Sequence, residues 1–328
     1  MINHELQAIQ AKHVNNLTRL YTGEKLLTAY SIVGTYAGYY SDCNDDMLAA
    51  WCAADLPVVI EGILRDGIDP VSFHPLVIEF NPLGVHYVDA LFGAKVYRSD
   101  GQIWSELLPG GLADLQPIDI NTAPIVQWTL KSIEKLLMEV PEQIHITCPI
   151  FSSPLNVAIN LFGEGALMDL LEPDPTVLRG LDIITDSISG LHKLIMTSFP
   201  GNRVRFYCSS NRYAPDGIGH ICGCSTQLLG QETYRNYFAP LDSRVLSTYP
   251  HGGTIHLCGH HAQHIPTWRN MPELRAVQLN DAATDEFPLY FNGLRTDQII
   301  YLCPTEEMTI ERILAISGGQ RVVIQVQM

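Results

Sequence analysis

The chain has 328 residues, 46% of them hydrophobic and 17% charged, which is ample material for a large buried core and too apolar for a disordered chain. Its net charge of −15 repels phosphate backbones and anionic lipids, so nucleic-acid and membrane-surface partners are not expected. The sequence shows neither a long uninterrupted apolar run nor an apolar leader behind its polar start. The expected location is therefore the cytoplasm, where the eight cysteines read as free thiols, metal ligands or catalytic groups before disulfides.

In chain order, residues 1–70 are irregular and predict leading helices that cover one end of the molecule. From 71 to 328 the pattern is that of a single domain. Short apolar runs at 76–80, 144–148, 204–208, 254–258, 276–279, 298–303 and 321–326 read as strands. Stretches of helical period lie between them at 125–138, 155–171, 177–196 and 308–317. Unbroken apolar strands alternating with helices predict a buried parallel sheet, which closes most simply into a (β/α)8 TIM-type barrel with extra N-terminal helices. The boundaries agree. Asp174 and Pro175 form an N-cap and first helical position, Thr305 reads as another N-cap, and Gly318-Gly319 closes the last helix.

Barrel chemistry gathers at the C-terminal ends of strands, which selects Asn81, residues 149–153, residues 208–211, residues 256–261, Asn280, Asp281 and Cys303. The sharpest feature is TIHLCGHHAQH at 254–264. His256 and Cys258 are two apart on a predicted strand, so they share a face, and an imidazole beside a thiolate suits zinc. Gly259 permits a tight turn. His260, His261 and His264 are either further donors or a polar loop. A catalytic zinc needs a third ligand. Cys303 reaches the same mouth from another strand end, with Cys222 and Cys224 in HICGC as competitors and Glu232 and Asp216 as oxygen alternatives. C-x-C is not the C-x2-C knuckle of structural zinc sites, so that second cluster is the weaker signal. Packing or loop filling is the competing account of these residues, and it is preferred for Cys222 and Cys224 as well as for Cys43, Cys52 and Cys148. G-x-S-x-G, Walker, dinucleotide-binding and H-E-x-x-H motifs are absent.

The H-x-C-G strand end at 256–259 resembles that of the uroporphyrinogen decarboxylase-like superfamily. Other stretches follow in the same order: EFNPL at 79–83, ALFGA at 90–94 with Asp100-Gly101, PIFSS at 149–153, Asp174-Pro175, residues 216–240, and IYLCP at 300–304. The likeness spans about residues 50–328. The arginine-rich N-terminal segment of the true decarboxylase is missing, Asn81 stands where that enzyme has Asp, and the sequence stops at Met328, short of the family's GHG turn. These departures point to the branch of zinc-dependent methyltransferases that serve corrinoid proteins. The resemblance then implies zinc on His256 and Cys258, with Cys303 as a geometric substitute for the family's third cysteine. Asn81, Tyr207 and Asp281 are the catalytic candidates, and Ser152, Asn211 and Arg212 the substrate-binding ones. No corrinoid-binding D-x-H-x-x-G signature occurs, so a corrinoid would arrive on a separate protein; a small-molecule substrate and a homodimer complete the expected partners. The alternatives are a metal-free decarboxylase or lyase, for which Arg203, Arg205, Arg212 and Arg269 could supply cations, and a non-catalytic accessory protein.

Overall fold

The computed structural model describes residues 4–24, 30–34, 39–40, 43–170, 173–207 and 209–327. Cys208, among the strand-end residues picked out by sequence, lies outside them.

The strands, in chain order, are β1 (Tyr30–Gly34), β2 (Tyr39–Tyr40), β3 (Val77–Phe80), β4 (Val96–Ser99), β5 (Gln102–Ser105), β6 (His145–Thr147), β7 (Val204–Arg205), β8 (Gly219–Cys222), β9 (Gly253–Cys258), β10 (Leu274–Asn280), β11 (Ile299–Leu302) and β12 (Val322–Gln327). One sheet has the order β1-β12-β11-β10-β9-β8, a second β2-β3-β6-β7, and β4 and β5 form a separate antiparallel hairpin. Every pairing within the two larger sheets is parallel. Two isolated parallel bridges link those sheets: Ile32 to Phe73, ahead of β3, and Ser152, beyond β6, to Cys222 of β8. The architecture is a mixed α/β domain around parallel strands. Its strands fall where the apolar runs predict them, with additions. β8 is one; β1 and β2 lie within the segment expected to be helical.

The helices follow their capping chemistry. Pro175–Ser198 starts at Asp174, whose carboxylate accepts from the backbone of Thr176 and Val177, with proline in the first turn. The helical run expected over 155–171 is broken at Gly163, whose φ of 61° separates Pro154–Phe162 from Glu164–Asp169. The last helix, Ile310–Ser317, is capped by Thr309 and ends on Gly318 in the left-handed region. Thr305, expected as the cap, instead accepts from Met308 N at 2.9 Å and donates to Asp285 at 2.6 Å. Among the described residues, no single helix is long and apolar enough to cross a membrane.

Both faces of the strands are buried, and they differ. The larger apolar cluster packs helices such as Pro175–Ser198 and Pro124–Glu139 against the sheets. The smaller cluster holds Val77, Ala276, Ile299, Tyr301 and Val323, covered by Leu17, Leu20 and Tyr21 of the first helix, His4–Tyr21. Side chains alternate along a strand, so each residue two positions on lies over the smaller cluster's face. Those residues are polar: Glu79 after Val77, Gln278 and Asn280 after Ala276, Cys303 after Tyr301, and Gln325 after Val323. One strand face thus changes from apolar to polar toward the C-terminal ends, and that polar layer carries the site.

Candidate metal centre

Strand register assembles the site. Cys222 of β8 is level with His256 of β9, His256 with Gln278 of β10, and Cys258 with Asn280. Neighbouring parallel strands lie about 4.8 Å apart, so level residues on one face touch. Two turns complete it. Gly223 donates its N–H to His256 O at 2.9 Å, and a Cβ there would sit 2.7 Å from Ile255, so only glycine lets the chain turn this close. The turn folds Cys224 back until its sulfur is 3.6 Å from that of Cys222. Gly259, with φ +82°, turns the chain away beyond Cys258. The ligand atoms of Cys222, Cys224 and His256 all lie within 4.8 Å of one another. Cys258 joins them, its sulfur 3.0 Å from His256 Nε2 and hydrogen-bonded to Cys224.

The imidazole is held in one tautomer. Gln278 Nε2 donates to Gln325 Oε1 at 2.8 Å and to Leu279 O at 3.3 Å, which fixes the amide with its oxygen toward His256 Nδ1. An amide oxygen only accepts, so Nδ1 carries the proton and Nε2 turns its lone pair to the thiols. The thiols share protons unequally. Hydrogen bonding from Cys224 holds both Cys222 and Cys258 below the usual thiol range. Cys224 is pushed far up, because its one S–H proton is shared between Cys222 and Cys258 and it stands beside their charge. Two enclosed thiolates repel each other, and a divalent cation relieves that cost. Three thiols and an imidazole are the donor set zinc prefers, so the residues present fit zinc.

A surrounding shell orients the donors. Asn156, in the first turn of Pro154–Phe162, approaches Cys222 Sγ at 3.8 Å while its oxygen accepts from Ser225 N at 2.9 Å. Asn280 Nδ2 approaches Cys258 Sγ at 3.9 Å. His261 and His264 are fully buried braces: His261 Nδ1 meets Thr226 Oγ1 at 2.8 Å, His264 Nε2 meets Thr226 O at 2.8 Å, and His261 Nε2 meets Cys258 O. They tie the turn that carries Cys224 to the turn beyond Cys258. His260 is exposed and pairs with Glu286 at 3.1 Å.

The other residues selected from sequence are placed as follows. Cys303 donates to Gln325 Oε1 at 3.5 Å, with Gln325 and Gln278 between it and His256, and burial pushes its thiol up. Arg212 and Asp281 lie within electrostatic reach of Cys303. Asp281 has φ +50°, accepts from Asn280 Nδ2 at 3.0 Å and starts the helix Ala282–Asp285. Ser152 pairs with Cys222 through the backbone and donates to Val85 O at 2.9 Å. Asn211 accepts from Ser209 at 2.6 Å, and its carbonyl takes Gln325 Nε2 at 2.9 Å. Asn81 is buried, its Oδ1 without a partner among the described residues. Tyr207 is buried among the smaller cluster's aromatics, away from the thiols, its ring 5.2 Å from Tyr213. Glu232 and Asp216 are engaged by Arg235 and Arg205. Arg203 is spent on the carbonyls of Leu137, Val140 and Pro141.

Sequence reasoning missed Gln278, Gln325, Asn156 and Glu79. Glu79 sits in the polar layer, accepts from Ser210 N at 2.8 Å, and is pushed up by burial. A weak signal existed for all but Asn156: each of the other three is a polar residue inside an apolar run that predicts a strand.

No family model matches the sequence, and no curated protein matches it. Among solved structures the chain is similar to a methyltransferase from Methanosarcina mazei, with a TM-score of 0.61 over 95% of this chain and 92% of that one. Identity is 12%, so the two proteins share a fold, and the likeness extends no further than that.

Proposed function

We propose that the chain is a zinc-dependent methyltransferase that moves a methyl group between a small thiol, ether or amine and a corrinoid held on a separate protein. We further propose that its strands close into an eight-position barrel, with β1 and β2 sharing one position and β7 and β8 another. The two bridges between the sheets support that closure. The observation that carries the function is the convergence of Cys222, Cys224, His256 and Cys258 at strand C-terminal ends, the face that hosts chemistry in such barrels. The methyltransferase name of the similar solved structure is consistent with it.

Zinc bound there supplies a Lewis acid that keeps a substrate thiol deprotonated at neutral pH. The chain's own residues do the rest. Gln278 accepts from His256 Nδ1 and so aims Nε2 at the thiols, and Asn156 and Asn280 orient Cys222 and Cys258. Cys222, His256 and Cys258 are fixed on strands, whereas Cys224 comes from a turn. A catalytic site needs three protein ligands and one exchangeable position, and Cys224 is the donor placed to give way.

The test is zinc content in wild type, Cys222→Ser, Cys258→Ser, Cys224→Ser and Cys303→Ser, followed by methylation of 2-mercaptoethanol with free methylcobalamin. Zinc near one per chain, lost with Cys222→Ser and Cys258→Ser and kept with Cys224→Ser and Cys303→Ser, is the expected pattern. Metal-supplemented wild type that holds no zinc refutes the proposal.

A further inference from the structure

The opposite end of the strands holds a second concavity. Two adjoining cavities, of about 520 and 420 Å³, share Arg205, Pro215, Asp216, Ile218 and His251 in their walls. They open beside the N-terminal ends of β7, β8 and β9, whereas the thiols stand at the C-terminal ends. The larger cavity is walled chiefly by apolar and aromatic side chains, including Met196, Phe199, Phe206 and Tyr249. Tyr207, 2% exposed, also lines it, and its hydroxyl has no partner among the described residues.

Charge in these walls runs against the protein's net charge of −15. The lining residues include Arg205 and Arg275, and Asp216 is their one acid. Arg205 is buried. It lies 5.9 Å over the Tyr213 ring and approaches His145 at 3.4 Å, and its acid partner is Asp216. The two partners are unequal: the Arg205 side chain is 9% exposed and that of Asp216 62%. Asp216 rides on a surface turn whose next residue, Gly217, has φ +76°. Arg275 binds two carbonyls at 3.3 and 3.4 Å, and its Nε is buried without a partner among the described residues. Burial and the nearby arginines keep His145 neutral, so it offers Arg205 no competing positive charge.

We infer that this concavity binds an organic monocarboxylate with an aromatic or alkyl body, its carboxylate taking Arg205 from Asp216 and its body filling the apolar cavity. A buried guanidinium is costly unless its charge is paired or its donors are satisfied, and planar carboxylates do both in bidentate fashion. Asp216 supplies that anion from an exposed loop, so in the empty protein it stands in for the ligand. Field lines from an acidic surface would exclude a stray anion, and a local cationic wall is what admits one. The Tyr207 hydroxyl and Arg275 are additional donors for the same group.

The test uses 4-phenylbutyrate and octanoate against 4-phenylbutyramide, by titration calorimetry and thermal shift, on wild type, Asp216→Asn and Arg275→Gln. The acids are expected to bind and raise the melting temperature, with the amide on the order of tenfold weaker. Asp216→Asn removes the internal competitor, so it is expected to bind the acids about fivefold tighter, and Arg275→Gln more weakly. Asp216→Asn also gains more thermal stability from the acids than wild type does, because its buried Arg205 regains an anion. Zinc content is measured on each variant and should not change, so failure here is separable from failure of the metal site. Acids that do not bind, amide binding as tight as acid, or unchanged or weaker acid affinity in Asp216→Asn overturns the inference.

Discussion

Replacing Gln278 by Leu tests whether the imidazole's tautomer, and not only the thiols, sets the metal affinity. Gln278 is 1% exposed, and its oxygen holds the proton on His256 Nδ1. Leucine fills a similar volume and accepts nothing. The proton is then free to move to Nε2, where it blocks the lone pair that faces Cys258 Sγ at 3.0 Å. Losing such an orienting partner costs about 10- to 100-fold in metal affinity, or roughly 1.4–2.8 kcal/mol. The apo protein loses a smaller amount. Gln325 Oε1 gives up the 2.8 Å bond from Gln278 but keeps the Cys303 thiol at 3.5 Å, so apo stability should fall by about 1 kcal/mol. The assay is zinc competition against a colorimetric chelator at pH 7, beside urea unfolding of the metal-free protein. Gln278→Glu is the control, since it keeps an acceptor toward His256 Nδ1 and should hold zinc more tightly than the leucine variant. Unchanged affinity in the leucine variant refutes the reasoning, and so does a glutamate variant that falls as far as leucine.

Other outcomes follow from buried chemistry elsewhere. Asp242 is fully buried and pushed up to about 7 by desolvation, with the Tyr234 hydroxyl donating to it at 2.8 Å. The folded state therefore keeps a proton that the unfolded chain gives up near its usual 3.8, so this residue's contribution is fully present below about pH 4 and is lost as pH rises to about 7. The difference is worth roughly 4 kcal/mol, and Asp242→Asn should flatten urea-unfolding stability across that window; a wild-type slope retained in the variant would count against this assignment. Gly259→Ala places a side chain at φ +82°, and its Cβ meets only the flexible end of Gln227. The backbone term dominates, and a stability loss of about 1–2 kcal/mol with weaker zinc binding is expected by thermal unfolding and chelator competition. His264→Leu removes the bond to Thr226 O, and it should increase hydrogen exchange in residues 223–229 while leaving β9 protected.

Much of this architecture was legible because apolar runs mark buried parallel strands whatever packs around them. The runs at 254–258 and 276–279 coincide with β9 and β10 apart from their ends. β8 escaped notice for a physical reason. Its first residue, Gly219, is obligatory because a Cβ would run into the Tyr249 ring, and glycine lowers strand propensity. Without β8 there is no register between Cys222 and His256, and C-x-C reads as a loop pair. Period 2 also misleads there. Gly223 ends the strand, so Cys224 reaches the cluster through a turn and not along a strand face. Cys303 looked equivalent to Cys258 because both end strands, but β10 separates β11 from β9, and Gln325 takes the thiol first. Gln278 and Gln325 are uncharged amides that sequence treats as surface residues. Only register shows Gln278 level with a histidine, and only the bond from Gln278 Nε2 shows Gln325 behind it.

The same geometry predicts what metal removal does. In small zinc domains the ligands meet only when the metal draws them together, so the apo chain is unfolded. Here Cys222, His256 and Cys258 are placed by the β8–β9 register, which continues into β10 and the rest of the sheet. Cys224 is placed by the Gly223–His256 backbone bond and by the His261–Thr226–His264 brace, none of which requires a metal. Zinc held as proposed would then add stability only by mass action, on the order of 4 kcal/mol when free metal exceeds its dissociation constant about a thousandfold. Chelation should lower the melting temperature by that linkage alone, with near-ultraviolet circular dichroism and the exchange protection of β8 and β9 unchanged. If the stripped protein loses its aromatic dichroism or its β9 protection, the site is not preformed, and the strands owe their register to the metal.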